Sequence, residues 1–140
     1  VLMLIGDSVE NAGPDGLGGW LATLARIVLS GIAISAALAA VSMAASSLTD
    51  RRAFAAIGIV LVLFATPILA AALVEGADLS PYWRLIDIST MPFELVFRIF
   101  GDPGNFPELA TWAVLASNLA WTLGGMAIVW WRYSKLVIAR

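Results

Sequence analysis

Residues Ala53 to Val74, AFAAIGIVLVLFATPILAAALV, contain no charged side chain. As a helix rising 1.5 Å per residue the run reaches about 33 Å, enough to cross a hydrocarbon layer of about 30 Å. A water-soluble fold has one other use for such a run, as the central helix of a large core. That use requires polar surface to cover the core. The chain has 140 residues, of which 61% are hydrophobic and 13% charged, whereas about a quarter of a soluble domain is charged. The surface is missing, so the run reads as one span of an all-α integral membrane protein.

Its flanks give it a direction. Thr49-Asp50-Arg51-Arg52 precedes it and Glu75-Gly76-Ala77-Asp78 follows, and arginines in short loops are retained in the cytoplasm. The basic residues outside the apolar runs lie mainly at Arg51, Arg52, Arg132, Lys135 and Arg140, while the acids collect mainly in the other loops. This predicts three spans, 20–48, 53–75 and 109–131, an outer loop over 76–108 and a cytoplasmic carboxyl terminus. The expected location is the plasma membrane of a bacterium, in contact with the lipid bilayer. A nucleic-acid partner is excluded because no basic stripe lies on a polar surface. Cysteine and histidine are absent, which removes disulfides, thiolate chemistry and the usual zinc and haem ligands. No metal or other cofactor and no catalytic residues are expected.

The first residues, Val1–Gly6 (VLMLIG), read as the last turns of an apolar helix whose earlier part precedes this sequence. From Asp7 to Gly19 the acids, Gly-Pro-Asp-Gly and Gly-Gly are turn chemistry. Span 20–48 follows, with Trp20 as an interfacial anchor. At about 43 Å it is expected to tilt or to project into the cytoplasm. Gly31, Ser35 and Ala39, with Ala36, Ala40 and Ala44 on the neighbouring row, suit close backbone approach to another helix. An alanine-rich composition supplies the same pattern without a partner. Arg26 is the one charge inside the three runs. Six positions after Trp20 it can snorkel to the outer headgroups or pair with an outer acid. The alternative is a role on the substrate path or at an outer gate.

The short turn at Thr49–Arg52 makes spans 20–48 and 53–75 an antiparallel hairpin. Pro67 predicts a local kink, with Thr66 placed to rebond a freed carbonyl. In the outer loop, Pro92, Glu94 and Gly101 mark the first turn and the end of a short helix over 92–100. At about 14 Å it cannot span. Phe93, Val96, Phe97 and Phe100 argue that it lies at the interface or dips back among the spans, with a Glu94–Arg98 pair turned to water or a partner. In span 109–131 the Asn118 amide falls near mid-membrane and is expected to hydrogen-bond across a helix interface. Gly124-Gly125 marks a close-packed or flexible point, and Trp130-Trp131-Arg132-Tyr133-Ser134-Lys135 an aromatic belt with cytoplasmic cations.

The order of parts resembles the carboxyl-terminal half of an ABC-2 type transporter permease. It consists of a glycine-rich loop, a long alanine-rich helix ending in Ser46-Ser47-Leu48-Thr49-Asp50-Arg51-Arg52-Ala53, an apolar helix, an outer loop carrying Ser89-Thr90-Met91-Pro92-Phe93-Glu94-Leu95-Val96-Phe97-Arg98-Ile99-Phe100-Gly101, a last helix and a basic tail. The resemblance implies a six-helix permease subunit, with Val1–Gly6 closing helix three and the complete spans as helices four to six. It further implies a second permease subunit, identical or not, and separate ATP-binding subunits. No G-x-x-x-x-G-K-[ST] occurs here, so ATP would be hydrolysed on a partner chain and this chain is not itself an enzyme. Candidate substrate-path or gate residues are Arg26, Asn118, Phe93 and Phe97. Candidate ATPase-side contacts are Asp50, Arg51 and Arg52, although positive-inside anchoring explains the two arginines equally well. The alternative function is a structural or accessory subunit of a larger membrane complex.

Overall fold

The computed structural model describes residues 16–137. The readings of Val1–Gly6, most of the opening loop and Arg140 fall outside them. All regular structure among the described residues is helical. It comprises α1 (Gly16–Ser47), α2 (Arg52–Ala71), a π-helical turn (Ala72–Gly76), a 3₁₀ turn (Pro81–Ile86), α3 (Met91–Phe100) and α4 (Thr111–Val137). Three helices are long and apolar enough to cross a membrane: α1, α2 with its π turn, and α4. Expected and observed boundaries agree closely except that α1 begins four residues early and α4 continues six residues past 131.

The bundle is built on α1 and α4, which run parallel. On α1 the buried positions are Ser30, Ala37, Ala40, Val41 and Ala44, and a Cβ added to Gly125 would stand 2.6 Å from the Ala40 carbonyl oxygen. The two backbones are therefore in contact. Apolar side chains gain little by leaving lipid for one another, so close approach through small residues supplies the packing that holds helices together there. The expected contact face is corrected in part. Ala40 and Ala44 face inward, whereas Gly31, Ser35 and Ala39 are exposed, and the Ser35 hydroxyl donates back to the Gly31 carbonyl at 2.6 Å.

Placing Ala40 against Gly125 fixes the register: Arg132 is level with Ser47, and Thr111 with Arg26. Helix α1 thus extends about 15 Å beyond the start of α4, at the end of the bundle that carries the long loop. Relative to α4, the excess length of α1 thus lies at the loop end and not at the α1–α2 turn. No described residue before Ser30 is buried.

Helix α2 returns from the turn along α1 and stays peripheral, burying Ala55, Thr66 and Ala70 alone. Pro67 lies inside it. The Thr66 hydroxyl donates to the Val62 carbonyl at 2.9 Å, one residue short of the Leu63 carbonyl that Pro67 leaves without its donor. After Ala71 the helix widens by one residue per turn, with the Ala77 N–H donating to the Ala72 carbonyl at 2.9 Å. Nothing in the sequence pattern announced this.

The long loop folds into the bundle. The 3₁₀ turn descends, Asp87–Thr90 reverses the chain, and α3 ascends. Gly101, at φ +84°, closes α3 with the Gly101 N–H on the Arg98 carbonyl and the Asp102 N–H on the Phe97 carbonyl, the paired bonds of a glycine-terminated helix. Met91 and Leu95 pack with Leu109, Val114 and Ala33. Ile88, fully buried at the tip, forms one cluster with Ala37 and Val41 of α1, against which Val62 and Leu63 of α2 and Trp121 of α4 pack. Ala37 lies ten residues from the end of α1, about 15 Å, so the tip reaches the middle of the bundle.

The crossing yields a contrast between adjacent glycines. Gly125→Ala drives a methyl into the Ala40 backbone and is expected to destabilise the protein by about 1–3 kcal/mol. Gly124→Ala meets nothing within 4 Å and is expected to be neutral or to stabilise by up to about 1 kcal/mol through helix propensity. Thermal unfolding midpoints of the two variants in one detergent check the difference.

Candidate functional site

Chain that leaves a helix at this depth needs protein partners for its polar groups, because hydrocarbon supplies none. Asp87 provides them at the reversal. It is 6% exposed, and its Oδ1 accepts from the Ser89 N–H at 2.8 Å, the Ser89 hydroxyl at 2.6 Å and the Thr90 N–H at 3.3 Å. Its Oδ2 accepts from the Thr90 hydroxyl at 2.6 Å, and its carbonyl from the Met91 N–H at 3.1 Å. The carboxylate thus closes the turn that leads into α3, and four hydrogen bonds offset the unfavourable burial of its charge. On the descending arm the Ser117 hydroxyl donates to the Leu85 carbonyl at 2.6 Å, fastening the loop to α4.

One turn further on, α3 holds the strap that leads to α4. Glu94 is completely buried; its Oε1 accepts from the Asn105 N–H at 2.8 Å, and Oε2 has no hydrogen-bond partner among the described residues. Gly104, at φ +67°, lies directly against that carboxylate, where a Cβ would collide with it. Asp102 Oδ1 fixes this turn by accepting from the Gly104 N–H at 2.7 Å. Arg98 Nη2 donates to the Phe106 carbonyl at 2.8 Å and the Leu109 carbonyl at 3.1 Å. The expected Glu94–Arg98 pair facing water is thus corrected. The acid takes an amide of the strap, the guanidinium takes its carbonyls, and together they clamp residues 102–109 to α3. Arg84 closes the rim, with Nη2 2.7 Å from Glu75 Oε1 and its guanidinium 4.6 Å from the Phe106 ring centroid.

The candidate residues do not converge. Arg26 is exposed on α1, level with the first residue of α4, and forms no ion pair with a described residue. Asn118 is buried on α4, but its amide nitrogen has no partner among the described residues; the bond across the interface expected of it is made by Ser117 instead. Phe93 and Phe97 are 50% and 38% exposed on the outer side of α3. Asp50, Arg51 and Arg52 are exposed at the α1–α2 turn, the same end as Arg132 and Lys135. None of the main cavities is lined by Arg26, Phe93, Phe97 or Asn118.

Sequence reasoning missed Asp87, Gly104 and Ser117 as structural keys. For Asp87 a signal existed, since Asp-x-Ser-Thr before Met-Pro is an Asx-turn pattern. For Gly104 and Ser117 the signal is tertiary. Among the described residues no three metal-ligating side chains come together. Comparison with known proteins finds no family model, no curated protein and no solved structure that matches the chain.

Two outcomes are expected from this geometry. Asp87→Ala leaves the Ser89 and Thr90 donors unpaired and costs about 1–3 kcal/mol. Gly104→Ala costs more in wild type than in a Glu94→Ala background, because the collision with the carboxylate disappears while the left-handed strain of about 1–2 kcal/mol remains. A double-mutant cycle on thermal unfolding measures the coupling, and strict additivity would show that the carboxylate does not touch residue 104.

Proposed function

We propose that the chain is the carboxyl-terminal part of the permease subunit of an ATP-driven exporter, working with a second permease subunit and separate ATP-binding subunits. The observation that carries this reading is the folded-in loop between the last two spans. It occupies the position that the resemblance to ABC-2 type permeases assigns to outer-loop helices, and its tip, Ile88, wedges between α1, α2 and α4. A wedge held by a few hydrogen bonds at its base is a gate: spans pulled apart at the turn end release Ile88, and α3 with its phenylalanines tilts outward. Asp50, Arg51 and Arg52 stand at the turn end, where an ATPase would pull. Phe93 and Phe97 face outward from the subunit, available to a second permease. The turn end carries Arg51, Arg52, Arg132 and Lys135 against Asp50 among the described residues, which supports a cytoplasmic position for that end and for the carboxyl terminus.

The full-length protein isolated from its native membrane is expected to bring an ATP-binding subunit with it, and its deletion to abolish ATP-dependent export. Isolation without a nucleotide-binding partner, with export intact after deletion, would make it an accessory subunit. A disulfide between Ala37→Cys and Ile88→Cys is expected to block export until reduced, without releasing the ATP-binding subunit. Undiminished export with the disulfide formed would remove the gate.

A further inference from the structure

At the turn end α1, α2 and α4 diverge and leave a cleft of about 530 Å³, within the size range of small-molecule sites. Its walls include Leu48, Phe54, Gly58, Trp121, Gly124 and Ile128, and the hydroxyl of Thr49 and the indole N–H of Trp121 are the polar side-chain groups among its lining. The Thr49 oxygen is engaged by the Arg51 N–H at 3.2 Å. Along α1 the lining runs from Val41 to Leu48, about 10 Å, parallel to the spans and therefore to neighbouring acyl chains. Glycine makes the space: no atom lies within 4 Å of a Cβ added at Gly124, and only the Ala45 methyl, at 3.9 Å, of one at Gly58.

Charge identifies the occupant. The Arg51 guanidinium lies 5.9 Å from the ring centroid of Phe54, which lines the cleft. Arg52 and Asp50 line a separate cleft, and Arg51 forms no ion pair with a described residue. Lys135 is engaged over the Trp131 ring at 3.9 Å. An apolar slot parallel to the spans, with the Arg51 guanidinium beside one of its walls and Arg132 one turn beyond Ile128 on α4, suits an acyl chain beneath a phosphate.

We propose that this cleft binds one acyl chain of an anionic phospholipid whose phosphate is held by Arg51. The site requires only that the chain spans a membrane and does not rest on the exporter reading. Bound there, the lipid fills the space between the three helices at the end where they must separate, so lipid composition would set how readily they do so.

The test uses the full chain retaining Trp121 as its one tryptophan, in phosphatidylcholine vesicles containing phosphatidylglycerol or phosphatidylcholine brominated in the acyl chain. Brominated phosphatidylglycerol is expected to compete for quenching Trp121 with about fivefold the apparent affinity of brominated phosphatidylcholine, the preference one arginine at a surface provides. Arg51→Gln is expected to abolish that preference, Arg52→Gln to leave most of it, and Gly124→Leu to suppress quenching by both lipids. Equal quenching by the two lipids would reduce the cleft to ordinary lipid contact and overturn the proposal. Absence of quenching by either would mean that a protein neighbour covers it, and would overturn the proposal as well. Arg51 and Arg52 are exposed, so their variants keep the test decisive if Gly124→Leu fails to fold.

Discussion

Backbone that departs from a helix within a hydrocarbon layer has no water to bind, and every amide and carbonyl it exposes must be satisfied by the protein. The loop between α2 and α4 meets this constraint with side chains of its own and of α4. Asp87 gathers the donors at the reversal, Ser117 takes the Leu85 carbonyl, and Glu94 and Arg98 divide the amide and carbonyls of the strap between them. Remove these contacts and burying Ile88, Met91 and Leu95 would leave the polar groups of the loop unpaired inside the bundle. With them, Ile88 can occupy the centre, where α1, α2 and α4 close around it.

The same economy of polar groups explains why the three spans are unlike one another. Helix α2 is the most apolar and the least buried, since in lipid a large hydrophobic side chain is best left facing outward. Helices α1 and α4 bury alanine, glycine and serine against each other, because attraction there comes from backbone proximity. An apolar side chain in water marks the inside of a protein, and here it marks the outside. The turn-end cleft, lined by glycine and alanine but walled by Phe54 and Trp121, is where this packing stops short.

Much of the element plan was legible from residues 16–137 because it depends on local composition. Uncharged runs of helical length gave the spans, and Pro92 and Gly101 gave the limits of α3. What was not legible depends on which faces meet. Gly31, Ser35 and Ala39 have the same spacing as Ala36, Ala40 and Ala44, and only the position of Gly125 chooses between them. Glu94 and Arg98 satisfy the rule for a helical ion pair, yet the strap supplies partners to both, and nothing near them in sequence reveals that Gly104 and Phe106 return to that height. The span most prominent in hydropathy proved peripheral for the reason given above, and the excess length of α1 could be assigned to an end only through the Ala40–Gly125 register. Of the residues singled out for function, Asn118 is the one buried in the bundle, beside the serine that makes the bond to the loop.

The account of the folded-in loop depends on Ile88 lying at the centre of the bundle and not at a water-exposed surface. The chain contains no cysteine, so Ile88→Cys and Asp78→Cys can each be exposed, in intact membrane vesicles, to a maleimide too polar to cross lipid. The account predicts rapid labelling of Asp78→Cys from the loop side and protection of Ile88→Cys until the protein is denatured. Equal labelling of the two positions would contradict it.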